Sequence, residues 1–398
     1  MSMGISSSPV LRVAIVGTGF MGKMHAHAWR TAHRFFRMDA VPELAVLVGR
    51  DAERASDAAR DFGALAASTD WREVVARSDI DVVDICTPGD THAEITLAAL
   101  AAGKHVLCEK PLANSVTDAD RMVEAAAEAP DLVAMCGFSY RRTPALSLAR
   151  ELITAGRLGE IRHVRAQYLQ DWLSDPDAPF TWRLDRHRAG SGTLGDIGAH
   201  SIDTAQWLTG ERITAVSAIT RTFVTDSPEL TEQVGLGGRA VDGAARRDVT
   251  VDDAAAFTAT FAGGALGVFE ATRMATGRRN ANRIEINGSR GSISFDFERM
   301  NELEFYDATD PAGEQGFRRI QVTEPQHPYA AAWWPAGHGL GYEHGFTHQI
   351  VDLVRAITSG APASPSFAEA AQVQRVLAAV EDSAARGSIM TAVEGAPS

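Results

Sequence analysis

The fold of this chain is decided by the stretch Leu11-Arg12-Val13-Ala14-Ile15-Val16-Gly17-Thr18-Gly19-Phe20-Met21-Gly22, in which a compact apolar run leads directly into the pattern G-x-G-x-x-G. Gly17 permits a tight turn, Gly19 lets the backbone approach a pyrophosphate, and Gly22 allows the next helix to pack closely on the strand. The positive end of that helix then faces the phosphates. A coincidental glycine turn is the alternative, but the flanking strand and helix favour a dinucleotide site that includes Phe20 and Met21.

Apolar strands alternate with helices over the first third of the chain. After the glycine turn we expect strands at residues 44–48, 80–86, 104–108 and 132–137, with a helix at 119–128 between the last two. Such alternation predicts an α/β, doubly wound sheet. We therefore predict that residues 1–138 form a dinucleotide-binding Rossmann domain, whose ligands bind at the carboxyl ends of the strands.

The tip of the second strand leaves the choice of cofactor open. The sequence there is Gly49-Arg50-Asp51. An acid at the first position would bind the ribose hydroxyls and repel a 2′-phosphate, but here that position is glycine. Arg50 is suited either to grip a phosphate or to stack on adenine, and Asp51 lies close enough in sequence to reach the ribose. We predict NAD as the cofactor, with NADP as the alternative.

The next strand end also supplies candidates for cofactor binding. Thr87 and Pro88 follow the strand at 80–86, and His92 opens a helix that runs through Leu100. The first two residues are expected at the crevice. His92 has two possible roles, one in capping the helix and one in contacting the cofactor.

A charged pair ends the following strand. Glu109 and Lys110 come directly after residues 104–108, and Pro111 stops the strand because it has no amide hydrogen for a ladder. Proline also restricts Lys110 to extended geometry. A solvated loop charge is the alternative, but the position at a carboxyl strand end predicts that both side chains lie where cofactor and substrate meet.

The second half has a different pattern. Seven further strands are expected at residues 161–169, 213–222, 254–261, 266–272, 283–287, 292–297 and 303–306, and helices at 346–357 and 367–385. Turns such as Ala262-Gly263-Gly264 predict a mainly antiparallel sheet, so residues 139–398 form an α+β domain. With few helices between the strands, one face of this open-faced sheet needs covering, most economically by another subunit. We expect long loops at 226–248 and 307–341, as lids or interface arms.

Charge and cysteine content exclude several classes of partner. The net charge of −13 and pI near 5.4 argue against nucleic acid and anionic membranes, which need a basic face. No apolar run is long enough to cross a bilayer. Cys86, Cys108 and Cys136 show no chelating spacing, so we predict no metal site and a reducing compartment. Because residues 1–9 lack a signal-peptide pattern, we expect a cytoplasmic protein with a small-molecule ligand.

A second polar motif lies in the second half, at Gly195-Asp196-Ile197-Gly198-Ala199-His200. On a helix, a spacing of four residues puts Asp196 and His200 on one face. A carboxylate beside an imidazole raises its basicity and fixes its orientation, which suits a general base. An acid near a helix start with an incidental histidine is the alternative.

The three motifs together resemble the glucose-fructose oxidoreductase and inositol dehydrogenase (Gfo/Idh/MocA) family. The resemblance covers nearly the whole chain and implies a nicotinamide-binding Rossmann domain, an open-faced sheet domain, and a catalytic set of Lys110, Asp196 and His200. Tyr140-Arg141-Arg142-Thr143-Pro144, Gln170-Asp171-Trp172, Trp182-Arg183 and His327-Pro328-Tyr329 are most similar to the levoglucosan dehydrogenase group. The glycine at the tip of the second strand departs from many NAD-preferring relatives.

The implied reaction is oxidation of a secondary alcohol. His200, oriented by Asp196, takes the hydroxyl proton, while Lys110 stabilises alkoxide character as hydride leaves. The sequence leaves open whether Lys110 or His200 is the formal base. Tyr140, Trp172 and Arg183 are candidates for the substrate side, since aromatic faces pack on sugar C–H bonds and guanidinium groups hold hydroxyls. Each of them suits core packing or an interface equally well.

The predicted substrate is a neutral sugar, an anhydrosugar of the levoglucosan type or a cyclitol, oxidised at one ring hydroxyl. Two other functions compete with this prediction. One is a redox-assisted glycosidase that keeps its NAD and shows no net cofactor use. The other is a dinucleotide-binding sensor without chemistry, against which the three catalytic candidates argue. The protein is expected to be a homodimer or homotetramer through its C-terminal sheet.

Overall fold

The structure is a computed structural model that describes residues 9–234, 237–241 and 243–395. Residues 1–8, which bear on the predicted absence of a signal peptide, lie outside the described residues. The first unit consists of β1 Val10–Val16, α1 Phe20–Phe35, β2 Val41–Val48, α2 Ala52–Phe62, β3 Ala66–Ser68, α3 Trp71–Ala76, β4 Val82–Ile85, α4 His92–Ala101, β5 His105–Cys108, α5 Val116–Glu128 and β6 Ala134–Cys136.

These strands form a parallel sheet in the order β3-β2-β1-β4-β5-β6. Successive residues of β1 enter two different cores: Val13 and Ile15 pack with Trp29 of α1, and Ala14 and Val16 pack on the opposite face. Apolar strands buried on both faces are typical of doubly wound sheets. The predicted Rossmann fold is confirmed, and the strand order reverses between β1 and β4, where a crevice forms.

The second unit is built around a larger sheet. Its elements are α6 Pro144–Thr154, β7 Ile161–Leu169, α7 Arg186–Ala189, α8 Ala199–Thr209, β8 Ile213–Arg221, β9 Asp226–Pro228, β10 Glu232–Val234, β11 Gly237–Arg239, β12 Arg246–Asp248, β13 Ala254–Phe261, β14 Leu266–Thr272, β15 Ala281–Gly288, β16 Gly291–Asp296, β17 Glu302–Asp307, β18 Arg318–Gln321, α9 Tyr342–Ser359, α10 Phe367–Ala385 and β19 Thr391–Ala392.

Nine of these strands form one sheet in the order β18-β17-β16-β15-β7-β14-β13-β8-β19. Its pairs are antiparallel except for β7 with β14, so the predicted mainly antiparallel sheet is confirmed. Alternate residues such as Phe257 and Phe269 are buried and stack at 4.6 Å. The helices α8 and α10 lie on this inner face. On the outer face Ile219, Leu266 and Val268 are exposed.

The segment predicted as a long loop at 226–248 contains two short ladders, which corrects that prediction. β9 pairs with β12, and β10 pairs with β11. Residues 307–341 are mostly irregular, as expected, but they contribute the edge strand β18. Short strands of three or four residues have too few positions for alternation to show in the sequence.

The helix α9 belongs to the second half of the chain but packs against α1. Phe346 and Ile350 of α9 share a core with Trp29 and Ile15 of the first unit. The division at residues 138 and 139 stays a prediction, since this helix ties the two parts together. Within the described residues, no helix is both long and apolar enough to cross a membrane.

Candidate active site

A cavity of about 550 Å³ lies at the carboxyl end of the parallel sheet and is bounded on its other side by the second unit. Most of the predicted site residues line it. They are Gly17, Gly19, Phe20, Met21, Arg50, Thr87, Pro88, Glu109, Lys110, Tyr140, Trp172, Arg183, Asp196 and His200. The glycine turn, the Glu109-Lys110 pair and the motif from Asp196 to His200 therefore meet in one cavity.

The glycine turn has the shape that a dinucleotide requires. Gly17 has a φ of 123°, and a Cβ there would lie 2.6 Å from the carbonyl oxygen of Cys86. At Gly22 a Cβ would lie 2.0 Å from the Gly17 carbonyl oxygen, so Gly22 serves close packing beneath the turn and does not line the cavity. At Gly19 a Cβ would meet no protein atom within 4 Å. That space, and a first turn of α1 without acids, fit the pyrophosphate of NAD.

The two charged residues at the tip of β2, Arg50 and Asp51, have different surroundings. Asp51 is the N-cap of α2, and its Oδ1 accepts the backbone N–H of Arg54 at 2.9 Å. It is not among the cavity residues, so the possible ribose contact of Asp51 gives way to capping. Arg50 and Arg54 both line this end of the cavity. Their guanidinium groups are exposed and carry the positive charge at the tip.

The structure places His92 one layer behind the cavity, which corrects the expectation of a direct cofactor contact. Its ring is buried, with Nδ1 3.0 Å from the Pro111 carbonyl oxygen and Nε2 2.9 Å from that of Thr87. Burial lowers the pKa of this imidazole. His92 is the first residue of α4 and not its N-cap, which is Thr91. His92 instead ties together the two loops that carry Thr87 and Lys110.

The side chain of Lys110 extends from the end of β5 and contacts the second unit. Its Nζ donates to the backbone oxygen of Asp196 at 2.7 Å and lies 3.4 Å from Oδ1 of the same residue. Arg273, which is fully buried, donates through Nη1 to Oδ2 at 3.2 Å. Burial alone raises the pKa of Asp196, but Lys110, Arg273 and Arg183 lower it, and the net pKa is well below its usual range. Asp196 is therefore a carboxylate at neutral pH.

The loop before Asp196 is fixed by another acid. The Asp252 carboxylate accepts the backbone N–H of Gly192 at 2.7 Å and that of Leu194 at 2.8 Å. A Cβ at Gly192 would lie 2.0 Å from the Asp252 carbonyl oxygen, so the two segments are in close contact. The two hydrogen bonds hold the start of the turn that carries Asp196 in one position.

His200 is buried in the same cavity. The prediction that Asp196 orients it is wrong. Among the described residues no hydrogen bond joins the two side chains, and Nδ1 of His200 is buried without a partner. The reason is local: residues Leu194–Gly198 form a π-helical turn, which displaces Asp196 from the regular i,i+4 position. The carboxylate turns to Lys110 and Arg273 instead.

The environment of His200 keeps it neutral. Its ring packs against Tyr140, with the ring centroids 4.6 Å apart. Burial lowers the pKa of the imidazole, the charge of Lys110 lowers it further, and the charge of Asp196 raises it only in part. The net pKa lies well below 6.5. A neutral imidazole at neutral pH has a nitrogen available to accept a proton.

One wall of the cavity, next to His200, is a hydrogen-bonded group of polar and aromatic side chains. The Tyr140 and Tyr168 hydroxyls are 2.6 Å apart, and Tyr168 donates to Asn280 Oδ1 at 2.8 Å. Trp172 donates through Nε1 to Gln170 Oε1 at 2.9 Å, and Gln170 in turn donates to Asn280 at 2.8 Å. The wall is thus held rigid from behind.

The three arginines of the motifs Tyr140-Arg141-Arg142-Thr143-Pro144 and Trp182-Arg183 lie in different places. Arg141 is buried and forms ion pairs with Asp203 and Glu369, and Arg142 pairs with Asp352. Neither arginine lines this cavity. Arg183 does line it, with its guanidinium carbon 4.5 Å from the ring centroid of Trp182.

Sequence reasoning missed Gln170 and Arg273 as cavity residues. Gln170 lies in the Gln170-Asp171-Trp172 motif, one residue after β7. Arg273 directly follows β14, which is the parallel neighbour of β7. The signal that finds both is their place at the ends of two adjacent parallel strands.

Comparison with known proteins agrees with this geometry. The model of the oxidoreductase family with an NAD-binding Rossmann fold, GFO/IDH/MocA, matches residues 11–137. The model of the GFO/IDH/MocA C-terminal domain matches residues 146–294. The chain belongs to the GFO/IDH/MocA family. It is an NAD-binding oxidoreductase, as the family and the fit of the glycine turn show.

Three known proteins are similar to this chain over almost its whole length. A levoglucosan dehydrogenase of Pseudarthrobacter phenanthrenivorans is 42% identical over 381 residues, which are 95% of this chain and 97% of that protein. The structure of an oxidoreductase domain protein from Kribbella flavida is 57% identical, with a TM-score of 0.92 and coverage of 97% and 99%. A levoglucosan dehydrogenase in complex with NADH and levoglucosan is 40% identical, with a TM-score of 0.91 and coverage of 97% and 100%.

Proposed function

We propose that this chain oxidises one secondary ring hydroxyl of a neutral sugar to a ketone, with NAD as the cofactor. The observation that supports the proposal most is that Lys110, Asp196 and His200 line the same cavity as the glycine turn. Among neutral sugars we place an anhydrosugar of the levoglucosan type first, ahead of cyclitols and ordinary pyranoses. The support for that order is the 42% identical relative, a levoglucosan dehydrogenase.

In the proposed reaction His200 accepts the hydroxyl proton. Its low pKa leaves it neutral, and its ring lines the cavity. A base need not be strong if the proton leaves as the hydride does, because charge never accumulates fully on the oxygen. When bound, NAD supplies the hydride acceptor. We therefore assign the role of formal base to His200 in this proposal.

Lys110 is assigned the electrostatic part of the reaction. Its Nζ is held by the backbone and carboxylate oxygens of Asp196, so the ammonium group is in place before substrate binds. A fixed cation beside the reacting oxygen stabilises developing alkoxide charge without a reorganisation step. Asp196 acts by holding Lys110, and Arg273 supports Asp196 from the buried side.

The walls of the cavity favour a neutral polyol as substrate. Trp172 and Trp182 offer flat apolar faces for sugar C–H bonds, while Tyr140, Gln170 and Arg183 offer polar atoms for hydroxyl groups. The cations Lys110 and Arg273 already share the carboxylate of Asp196. A phosphorylated sugar would require a denser set of uncommitted basic groups.

We further propose a homodimer or homotetramer that covers the outer face of the nine-stranded sheet. Ile219, Leu266 and Val268 lie on this face and are 62%, 45% and 47% exposed. A sheet with helices on one side buries such side chains most readily against a second copy.

We also propose that the protein is located in the cytoplasm. Cys86, Cys108 and Cys136 are free thiols in the structure. Unpaired cysteines support a reducing, cytoplasmic environment.

The function is tested by incubating the protein with NAD and levoglucosan and measuring both NADH and the sugar product. A dehydrogenase forms NADH and ketone in equal amounts. An altered sugar without accumulated NADH would contradict the proposal and indicate the redox-assisted glycosidase. Binding of NAD with no change in levoglucosan, myo- or scyllo-inositol or glucose would indicate the sensor.

A further inference from the structure

A row of buried titratable side chains lies behind the cavity, and neither the fold nor the proposed reaction accounts for it. His25 of α1 is fully buried, and its Nδ1 lies 2.9 Å from both carboxylate oxygens of Asp84. Its Nε2 lies 3.0 Å from Oε1 of Glu109. Trp29 donates through Nε1 to Asp84 Oδ2 at 2.7 Å. One imidazole thus bridges two acids from neighbouring strands.

The geometry fixes the charge of this imidazole. A carboxylate only accepts hydrogen bonds, and a neutral imidazole has a single N–H to donate. With both acids ionised, the contacts from the two ring nitrogens are hydrogen bonds only if both nitrogens are protonated. Burial lowers the pKa of His25, but Asp84 raises it, and the net pKa lies well above the usual value. The row therefore places one imidazole with a raised pKa between two acidic side chains.

Glu109 is the member of the row that reaches the cavity. Its Oε2 accepts the backbone N–H of Lys110 at 3.2 Å, while its Oε1 faces His25. Gly137 packs against it so closely that a Cβ there would lie 2.6 Å from Oε1. Each contact restricts the carboxylate, so Glu109 presents its charge to the cavity from one position.

Glu109 lies at the end of the cavity where the nicotinamide of a bound dinucleotide would be expected. In a doubly wound sheet the dinucleotide crosses at the reversal of strand order, with its phosphates at the first glycine turn. Adenosine would then lie toward β2, and nicotinamide would lie toward the ends of β4 and β5. Glu109 directly follows β5. The oxidised nicotinamide ring is a cation and the reduced ring is neutral, so a fixed negative charge nearby discriminates between them.

We propose that His25 is a positioning residue that holds the Glu109 carboxylate at the nicotinamide end of the cavity, so that the site binds NAD⁺ in preference to NADH. The consequence for a dehydrogenase is that the reduced cofactor leaves more readily after oxidation of the substrate. This proposal rests on the proposed function and adds to it, because it assigns the residues by which the cofactor site distinguishes NAD⁺ from NADH. It concerns cofactor binding alone, so its test is independent of which sugar is oxidised.

The test measures the Kd of NAD⁺ and of NADH by titration calorimetry, without substrate, for the parent and for Glu109→Gln and His25→Gln. Glutamine at 109 keeps the size of the side chain and an acceptor for the Lys110 N–H. We expect the ratio Kd(NADH)/Kd(NAD⁺) to fall about tenfold in Glu109→Gln, because one nearby negative charge is lost. His25→Gln removes a positive charge, which by itself would raise the ratio, so the fall that we expect in this variant reports displacement of the Glu109 carboxylate. A rise in His25→Gln would show that His25 does not hold Glu109 in place, and the proposal would be wrong. The double variant should show no further fall, because both changes act through the same carboxylate.

His348→Gln is the matched control, since His348 is another buried histidine of the same core but lies outside the cavity. Its ratio should equal that of the parent, whatever its stability. If both Kd values in His25→Gln change by the same factor, His25 is a structural residue only and the proposal is wrong. If His25→Gln does not fold, Glu109→Gln decides alone, and an unchanged ratio in that variant overturns the proposal.

Discussion

At the scale of single residues, the contact between Lys110 and Asp196 joins the two halves of the chain at the cavity. Lys110 was predictable because Pro111 marks a strand end and the strand end marks a crevice. The contacts of the Asp196 carboxylate with Lys110 and Arg273 were not predictable. A spacing of four predicts His200 as its neighbour, but the π-helical turn at Leu194–Gly198 redirects the carboxylate, and nothing in a single sequence marks such a turn.

Replacing Lys110 by Ala should lower kcat by at least about a hundredfold, because the fixed cation beside the reacting oxygen is lost. The Kd of NADH should change little, since the glycine turn and the tip of β2 are untouched. Lys23→Ala, which removes an exposed lysine from α1, is the control. Steady-state kinetics and NADH titration check the prediction, and near-normal turnover in Lys110→Ala would exclude the lysine from the chemistry.

The pH profile reports on His200. A base acts in its neutral form, and the pKa of His200 lies well below its ordinary value of 6.5, so kcat/KM should stay level as the pH falls through 6.5. The charge of Asp196 raises this pKa, and Asp196→Asn should therefore move the acid limb to still lower pH, with a lower kcat because Lys110 loses a partner. An acid limb centred at or above 6.5 in the parent would contradict the assignment of His200.

At the scale of elements, alternation of side chains made the long strands predictable. The bounds predicted for residues 254–261 and 266–272 are those of β13 and β14, because buried and exposed positions alternate strictly and Gly263-Gly264 marks the turn. β12 was missed because Arg246–Asp248 is short and all three residues are exposed. Such a strand is held by its partner β9 and leaves no pattern of its own.

The N-cap of α2 gives a test at this scale. Asp51→Ala should lower the free energy of unfolding by about 1 kcal/mol, because the backbone N–H of Arg54 loses its acceptor. The KM for NAD should stay close to that of the parent, since Asp51 is not among the cavity residues. Denaturant unfolding and steady-state kinetics provide the two values. A KM for NAD raised about tenfold at unchanged stability would restore a ribose contact to Asp51.

At the scale of the whole molecule, the outer face of the large sheet is where a second copy is expected. Val268→Lys places a charge at the middle of that face, opposite Arg165 of β7. We expect the variant to have a smaller mass than the parent in light scattering after size exclusion, because a buried unpaired charge opposes association. Leu65→Lys, at a 70% exposed position of the first unit, is the control. An unchanged mass in Val268→Lys would place the interface elsewhere, or show that the protein is a monomer.

The most direct test of the whole account is the kcat/KM for NAD reduction over levoglucosan, myo- and scyllo-inositol, glucose and sugar phosphates. The cavity joins an NAD site, a neutral His200 and a Lys110 already paired with Asp196, so we expect the highest value for levoglucosan and low values for the phosphates. The same panel with Lys110→Ala should show little turnover of any sugar. A marked preference for the sugar phosphates would contradict the neutral substrate on which the account depends.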